Sequence, residues 1–152
     1  MRGVIWQQIL SKSGKRIMIE IAAIDHIVLR TSKIEAMLDF YCDVLGCTVE
    51  RETSVETGLI QLRAGNALID LVTVDSDLGR MGGGPPTTTE NNMDHFCLQL
   101  KEISEIDIKT HLSNHGIDVG DFQDRYGAQG IGKSIYINDP EGNTVELRSQ
   151  IE

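Results

Sequence analysis

With 152 residues, 40% hydrophobic and 24% charged, the chain is sized for one globular domain with a sizeable core. A formal charge of −9 argues against nucleic acid or an anionic membrane surface as partner, and no apolar run approaches membrane-spanning length. Three cysteines, Cys42, Cys47 and Cys97, form an odd set with no close CxxC pair, which fits reduced thiols in the cytoplasm better than a disulfide framework.

Residues 1–20 read as an N-terminal extension, expected to be disordered. The first 19 hold Arg2, Lys12, Lys15 and Arg16 and no acid. A transit peptide has this composition. The preferred reading is a mobile arm, or a start codon placed too early with Met18 as the first residue. The domain then spans 21–151, as two modules at about 22–74 and 93–149 joined by a linker at 75–92.

The first module opens on a strand at 24–29. Ser32 and Glu35 form a capping-box pattern, and Ile34, Met37, Leu38, Tyr41 and Leu45 follow at helical spacing, with Gly46 as C-cap. Strands are expected at 47–54, 57–63 and 67–73. The linker carries Gly82, Gly83 and Gly84 before two prolines; it has neither the following helix nor the Lys-Ser/Thr of a phosphate loop. In the second module a strand at 93–98 precedes a helix opened by Ser104 and closed by Gly116. Strands are expected at 117–122, 133–138 and 143–148, the last two joined by the turn Asp139-Pro140-Glu141-Gly142. Each half reads strand–helix–three strands, so the fold class is α+β. The two βαβββ modules are expected to pair into a curved, cup-shaped mixed sheet with helices outside.

The halves repeat one another. His26 recurs as His95, 69 positions on, and Asp70 as Glu146, 76 positions on. Strand side chains alternate between faces, so all four point away from Ile27, Leu29, Phe96, Leu98, Ile69, Leu71, Val145 and Leu147, which should pack on the helices. Two imidazoles and two carboxylates meeting in the cup would suit one divalent metal ion: Ni, Zn, Mn, Co or Fe(II). Asp70 is shorter than Glu, so its direct ligation is left open. His111 and His115, at i, i+4, lack the glutamate of an HExxH site and a third ligand, and read as surface residues. Cys97 reads as a core or pocket-wall residue.

The strings Ile24-Asp25-His26-Ile27-Val28-Leu29, Phe40-Tyr41-Cys42-Asp43-Val44-Leu45-Gly46, Met93-Asp94-His95-Phe96 and Asp139-Pro140-Glu141-Gly142-Asn143-Thr144-Val145-Glu146-Leu147 carry a family resemblance. Over about 22–149 the chain resembles the vicinal-oxygen-chelate superfamily, the glyoxalase I, bleomycin-resistance and extradiol-dioxygenase group. The resemblance implies paired modules forming a cup around one metal, held at His26, Asp70, His95 and Glu146. Glyoxalase I normally carries Glu where this chain has Asp70; several relatives chelate with only two His and one Glu.

The leading expectation is a glyoxalase-type isomerase or lyase acting on a small substrate that chelates the metal through vicinal oxygens. Glu146 by preference, or Asp70, would move the proton. One alternative is Fe(II)-dependent dioxygenation on a triad of His26, His95 and Glu146. The other is a non-catalytic, bleomycin-resistance-like binding protein. Alternation places Gln61, Ser134 and Tyr136 on the cup face, and the glycine-punctuated stretch 124–130, with Arg125 and Tyr126, is a candidate substrate loop. A homodimer is the default assembly, with the site inside one chain or between two.

Overall fold

The computed structural model describes residue 19 and residues 21–149; the rest of the 1–20 extension lies outside the described residues. Among the described residues no helix is long and apolar enough to cross a membrane.

Each half forms the expected βαβββ module. In the first, β1 (His26–Thr31) runs parallel to β4 (Ala67–Thr73), which pairs antiparallel with β3 (Leu59–Ala64), and that with β2 (Thr48–Glu52). The second repeats the plan with β5 (His95–Gln99) parallel to β8 (Thr144–Arg148), then β7 (Gly130–Asn138) and β6 (Gln123–Gly127). The sheets are separate, in the orders β1-β4-β3-β2 and β5-β8-β7-β6. Among the described residues the first strand of each module is therefore an open edge.

The connecting helices are α1 (Ile34–Leu38), which loosens into a π-helical stretch over Asp39–Val44, and α3 (Glu105–Asn114). Met37, Phe40 and Tyr41 on the first, and Ile108 and Leu112 on the second, are buried at helical spacing. They share one core with Leu29, Leu62, Ile69 and Leu71 of the first sheet and Ile135, Ile137, Val145 and Leu147 of the second. Both sheets thus turn their apolar faces to a common interior. Their other faces turn outward.

Three local expectations change. Ser32 does not cap α1. Its backbone N–H and hydroxyl go to Glu141, while Thr31 Oγ accepts from the Lys33 N–H at 2.8 Å. Ser104 does cap α3, accepting from the Asp107 N–H at 3.1 Å. The strand expected at 117–122 is displaced to 123–127, because the tight turn at Ala128 and Gln129, closed by Gly130 at φ 95°, dictates what pairs with β7. Phe122 is buried and Ile117 and Val119 pack on the core without joining a sheet. Most of the stretch 124–130 is consequently sheet rather than free loop. Within the linker, Ser76 caps a short helix α2 (Asp77–Arg80), and Arg30 of β1 donates to the carbonyls of Gly79, Gly83 and Gly84.

A polar clasp joins the modules. The Tyr41 hydroxyl donates to Asp139 Oδ2 at 2.7 Å, and the other Asp139 oxygen accepts from the backbone N–H groups of Glu141 and Asn143. Glu141 Oε1 accepts from Thr31 Oγ and the Ser32 N–H, both at 2.7 Å. Burial pushes the Glu141 pKa up, but the donors from Thr31 and Ser32 outweigh it and hold the group below the ordinary carboxylate value. The folded state therefore binds that proton more weakly than the unfolded chain. Its stabilisation is complete above the ordinary carboxylate pKa and fades as pH falls through the lowered folded value. Glu141→Gln is expected to flatten the acid limb of stability against pH, read from urea unfolding across a pH series. An acid limb of unchanged slope would show that the clasp contributes nothing.

Candidate metal centre

The four ligand candidates lie on the outward, polar faces of the two sheets, at equivalent registers. His26 pairs with Leu68 and Asp70 with Val28; His95 pairs with Thr144 and Glu146 with Cys97. In each module the imidazole and the carboxylate are thus diagonal neighbours on one face. The second pair converges, with His95 Nε2 3.2 Å from Glu146 Oε2. The first does not reach that distance, and Asp70 is one methylene shorter than Glu146.

Orienting contacts repeat as well. His26 Nδ1 lies 2.6 Å from Asp25 Oδ1, and His95 Nδ1 lies 2.6 Å from Asp94 Oδ2. A carboxylate on Nδ1 fixes the tautomer that leaves Nε2 free to coordinate, an arrangement typical of metal-binding histidines. The His26 pKa is raised, first by the hydrogen bond it donates to Asp25, against an opposing effect of burial, with the charges of Asp70 and Asp25 adding to it. These aspartates are exposed, so the contacts orient the rings more than they stabilise the fold.

Asp70 is 4% exposed and Glu146 6%. Gln61 Nε2 donates to Asp70 Oδ2 at 3.0 Å, and Gln61 is itself held by Arg51 at 3.1 Å. Asp70 Oδ1 is buried without any hydrogen-bond partner among the described residues. A buried carboxylate oxygen left unpaired is costly, and a cation relieves it. Two oriented imidazoles and two buried carboxylates, one with an unpaired oxygen, fit a divalent ion of nitrogen and oxygen preference.

The chain nevertheless supplies this set as two halves. Among the described residues no three His, Cys, Asp or Glu side chains lie close enough to share an ion. The His26–Asp70 face and the His95–Glu146 face belong to different sheets, each turned away from the common core.

The substrate candidates also divide. Tyr136 pairs with Glu146, and its ring meets the His95 ring edge-on at 5.2 Å. Arg125 stacks on Tyr136, with its Cζ 4.3 Å from the ring centre, and donates to Ser134 Oγ at 3.0 Å. Gln61, beside Asp70, occupies the place in the first module that Tyr136 holds in the second. Tyr126 pairs with Ile131 on the opposite face of β6 and is 82% exposed, away from this cluster. His111 and His115 pack against each other at a tilt and turn to the carbonyls of Val44 and His111, with no carboxylate ion-paired to them among the described residues. Although Cys97 keeps some exposure, partial burial of its thiol, with the Glu146 charge adding, pushes it up to about 11, which disfavours a nucleophilic role at neutral pH.

Sequence reasoning missed Arg148. It follows Glu146 by two positions and so shares its face, a signal present in the alternation itself. It also passed over Asp25 and Asp94, although each directly precedes a candidate histidine.

Residues 23–147 match the family model described as Glyoxalase/Bleomycin resistance protein/Dioxygenase superfamily. The chain belongs to that superfamily, whose members are generally metal-dependent and bind small substrates. It is 26% identical over 120 residues to a catechol-2,3-dioxygenase of Bacillus subtilis, covering 78% of this chain and 38% of that protein. It is 30% identical over 133 residues to a biphenyl-2,3-diol 1,2-dioxygenase of Rhodococcus globerulus, covering 81% of this chain and 60% of that protein. The chain thus spans between about two-fifths and three-fifths of the length of these curated relatives. Among solved structures, virulence protein STM3117 of Salmonella typhimurium superposes with a TM-score of 0.64 at 27% identity, covering 88% of this chain and all of that one.

Proposed function

We propose that the protein is a divalent-metal enzyme whose site forms between two copies of the chain. His26 and Asp70 of one copy face His95 and Glu146 of the other. The carrying observation is the repeated face itself: His95 and Glu146 already converge at 3.2 Å, while Asp70 presents an unpaired buried oxygen at the equivalent place. The open edges β1 and β5 support the assembly. Edge strands invite pairing with another chain, and Val28 on β1 and Met93 just before β5 leave apolar surface exposed. Pairing β1 with β5 of a second copy would bring the two polar faces into one cup, twice per dimer.

Nickel, zinc, manganese, cobalt or iron held there would polarise two neighbouring oxygens of the substrate and acidify the adjacent carbon. The remaining work falls to the chain. Glu146, a ligand beside His95, would take a proton from that carbon and return it to the neighbouring atom, with Asp70 as the alternative proton carrier. Gln61 holds one Asp70 oxygen, which leaves the other, buried and unshared, to face the ion. Tyr136 walls the cup beside His95 and limits water at the reacting atoms. This is glyoxalase-type isomerase or lyase chemistry on a small substrate with vicinal oxygens.

The names of the two curated relatives favour a second reading, an Fe(II) dioxygenase that uses His26, His95 and Glu146 as the triad. The two readings separate on oxygen. Metal-loaded protein is expected to convert the hemithioacetal of methylglyoxal and glutathione under strict anaerobiosis. Turnover of a catechol with matching oxygen uptake, and none of the hemithioacetal, would establish the dioxygenase instead.

A further inference from the structure

Two arginines lie on the Glu146 face without an ion pair among the described residues. Arg148 is 3% exposed. It donates to the carbonyl of Arg125 at 2.9 Å and to that of Gly130, and its Nε is buried with no partner. Arg125 gives its Nη1 to the Ser134 carbonyl and hydroxyl and lies over the Tyr136 ring. Neither guanidinium forms an ion pair among the described residues. A chain with 23 acidic residues against 14 basic ones has ample carboxylates to spare. Burying a guanidinium on neutral carbonyls alone is costly. Arginine also suits oxyanions, because its planar fork can hold two oxygens at once.

The backbone makes room for this pair. A Cβ on Gly127 would lie 3.1 Å from the Arg148 Cζ, so the hairpin passes close over the guanidinium and a side chain at 127 would press on it. Tyr136 touches both His95 and Arg125. The cationic cluster therefore begins one aromatic ring away from the metal-binding histidine.

We infer that Arg125 is the contact of an oxyanion subsite, with buried Arg148 holding the Arg125 backbone and adding its charge from beneath, and that the substrate carries a carboxylate, phosphate or phosphonate group beyond its metal-chelating oxygens. The inference rests on the proposed metal site for the chelating end of the substrate only. Tyr136 forms the floor between the two ends, and Ser134 fixes the Arg125 fork.

The test measures binding to the zinc-loaded protein by calorimetry, with ligands that share a vicinal diol and differ in charge. The probes are 3,4-dihydroxybenzamide, 3,4-dihydroxybenzoate and 3,4-dihydroxyphenylphosphonate. An anionic probe is expected to bind about tenfold more tightly than the amide, despite the net negative charge of the protein. Whichever of the carboxylate and the phosphonate binds more tightly names the group. The gap should close in Arg125→Gln and shrink in Arg148→Lys, which keeps a buried cation should loss of Arg148 compromise folding. Equal affinity for all three probes in the wild type would overturn the inference while leaving the metal site standing. If none of the diols binds, inorganic phosphate decides on the same protein. Binding lost in Arg125→Gln upholds the subsite without the metal reading, and no phosphate binding ends it.

Discussion

Glu146→Gln is expected to abolish turnover and to weaken divalent-metal binding by more than a hundredfold while leaving the fold intact. The magnitude follows from the position. Removing an outer partner of a ligand typically costs about 10- to 100-fold in metal affinity or activity, and Glu146 is read as a ligand itself, 3.2 Å from His95 Nε2. Loss of a general acid or base alone removes roughly 10²–10⁴ in rate, so a residue with both roles should leave no measurable activity. Glutamine preserves the volume of a side chain that is 6% exposed, so the urea midpoint should move little. Metal titration and unfolding of the same preparation separate the two effects. A variant that binds metal and turns over as the wild type does would remove Glu146 from the centre.

Much of this site was legible because a duplicated chain states its plan twice. Asp25-His26 and Asp94-His95 open equivalent strands, and Asp70 and Glu146 sit in equivalent last strands; alternation alone placed each on the face opposite Leu29, Leu98, Ile69 and Val145. Gly46 and Gly116, both at φ above 70°, marked the helix ends because L-residues with side chains avoid that conformation. What escaped was set by contacts distant in sequence. Ser32 has the spacing of a capping box with Glu35, yet its donors go to Glu141, 109 positions away. The 117–122 segment has the apolar pattern of a strand, but its neighbour 123–127, with Asp124 and Arg125, pairs with β7 because the turn at Ala128 and Gln129 fixes the hairpin. Local pattern tells which residues want burial. It does not tell which backbone finds a hydrogen-bonding partner. The relation of the two modules was illegible for the same reason, since one repeat pattern serves a cup within one chain or between two.

That relation yields the second large effect. If the centre forms between copies, His26→Ala and Glu146→Gln each destroy both sites of their own homodimer, the first on one wall and the second on the other. In a mixed dimer the damaged walls meet in one site and the intact walls meet in the other. Random pairing makes about half of the dimers mixed, so co-refolding equal amounts of the two variants should restore metal binding to about one quarter of the wild-type sites. A centre contained within one chain gives no such rescue, because every chain then carries a defect in its only site.

The measurement is tightly bound divalent metal per chain, by elemental analysis after equilibrium dialysis, for the wild type, each variant alone and the co-refolded mixture. The account predicts one ion per chain for the wild type, almost none for either variant, and about a quarter of the wild-type content for the mixture. A mixture as empty as its components, or a single variant that still fills its sites, would contradict it.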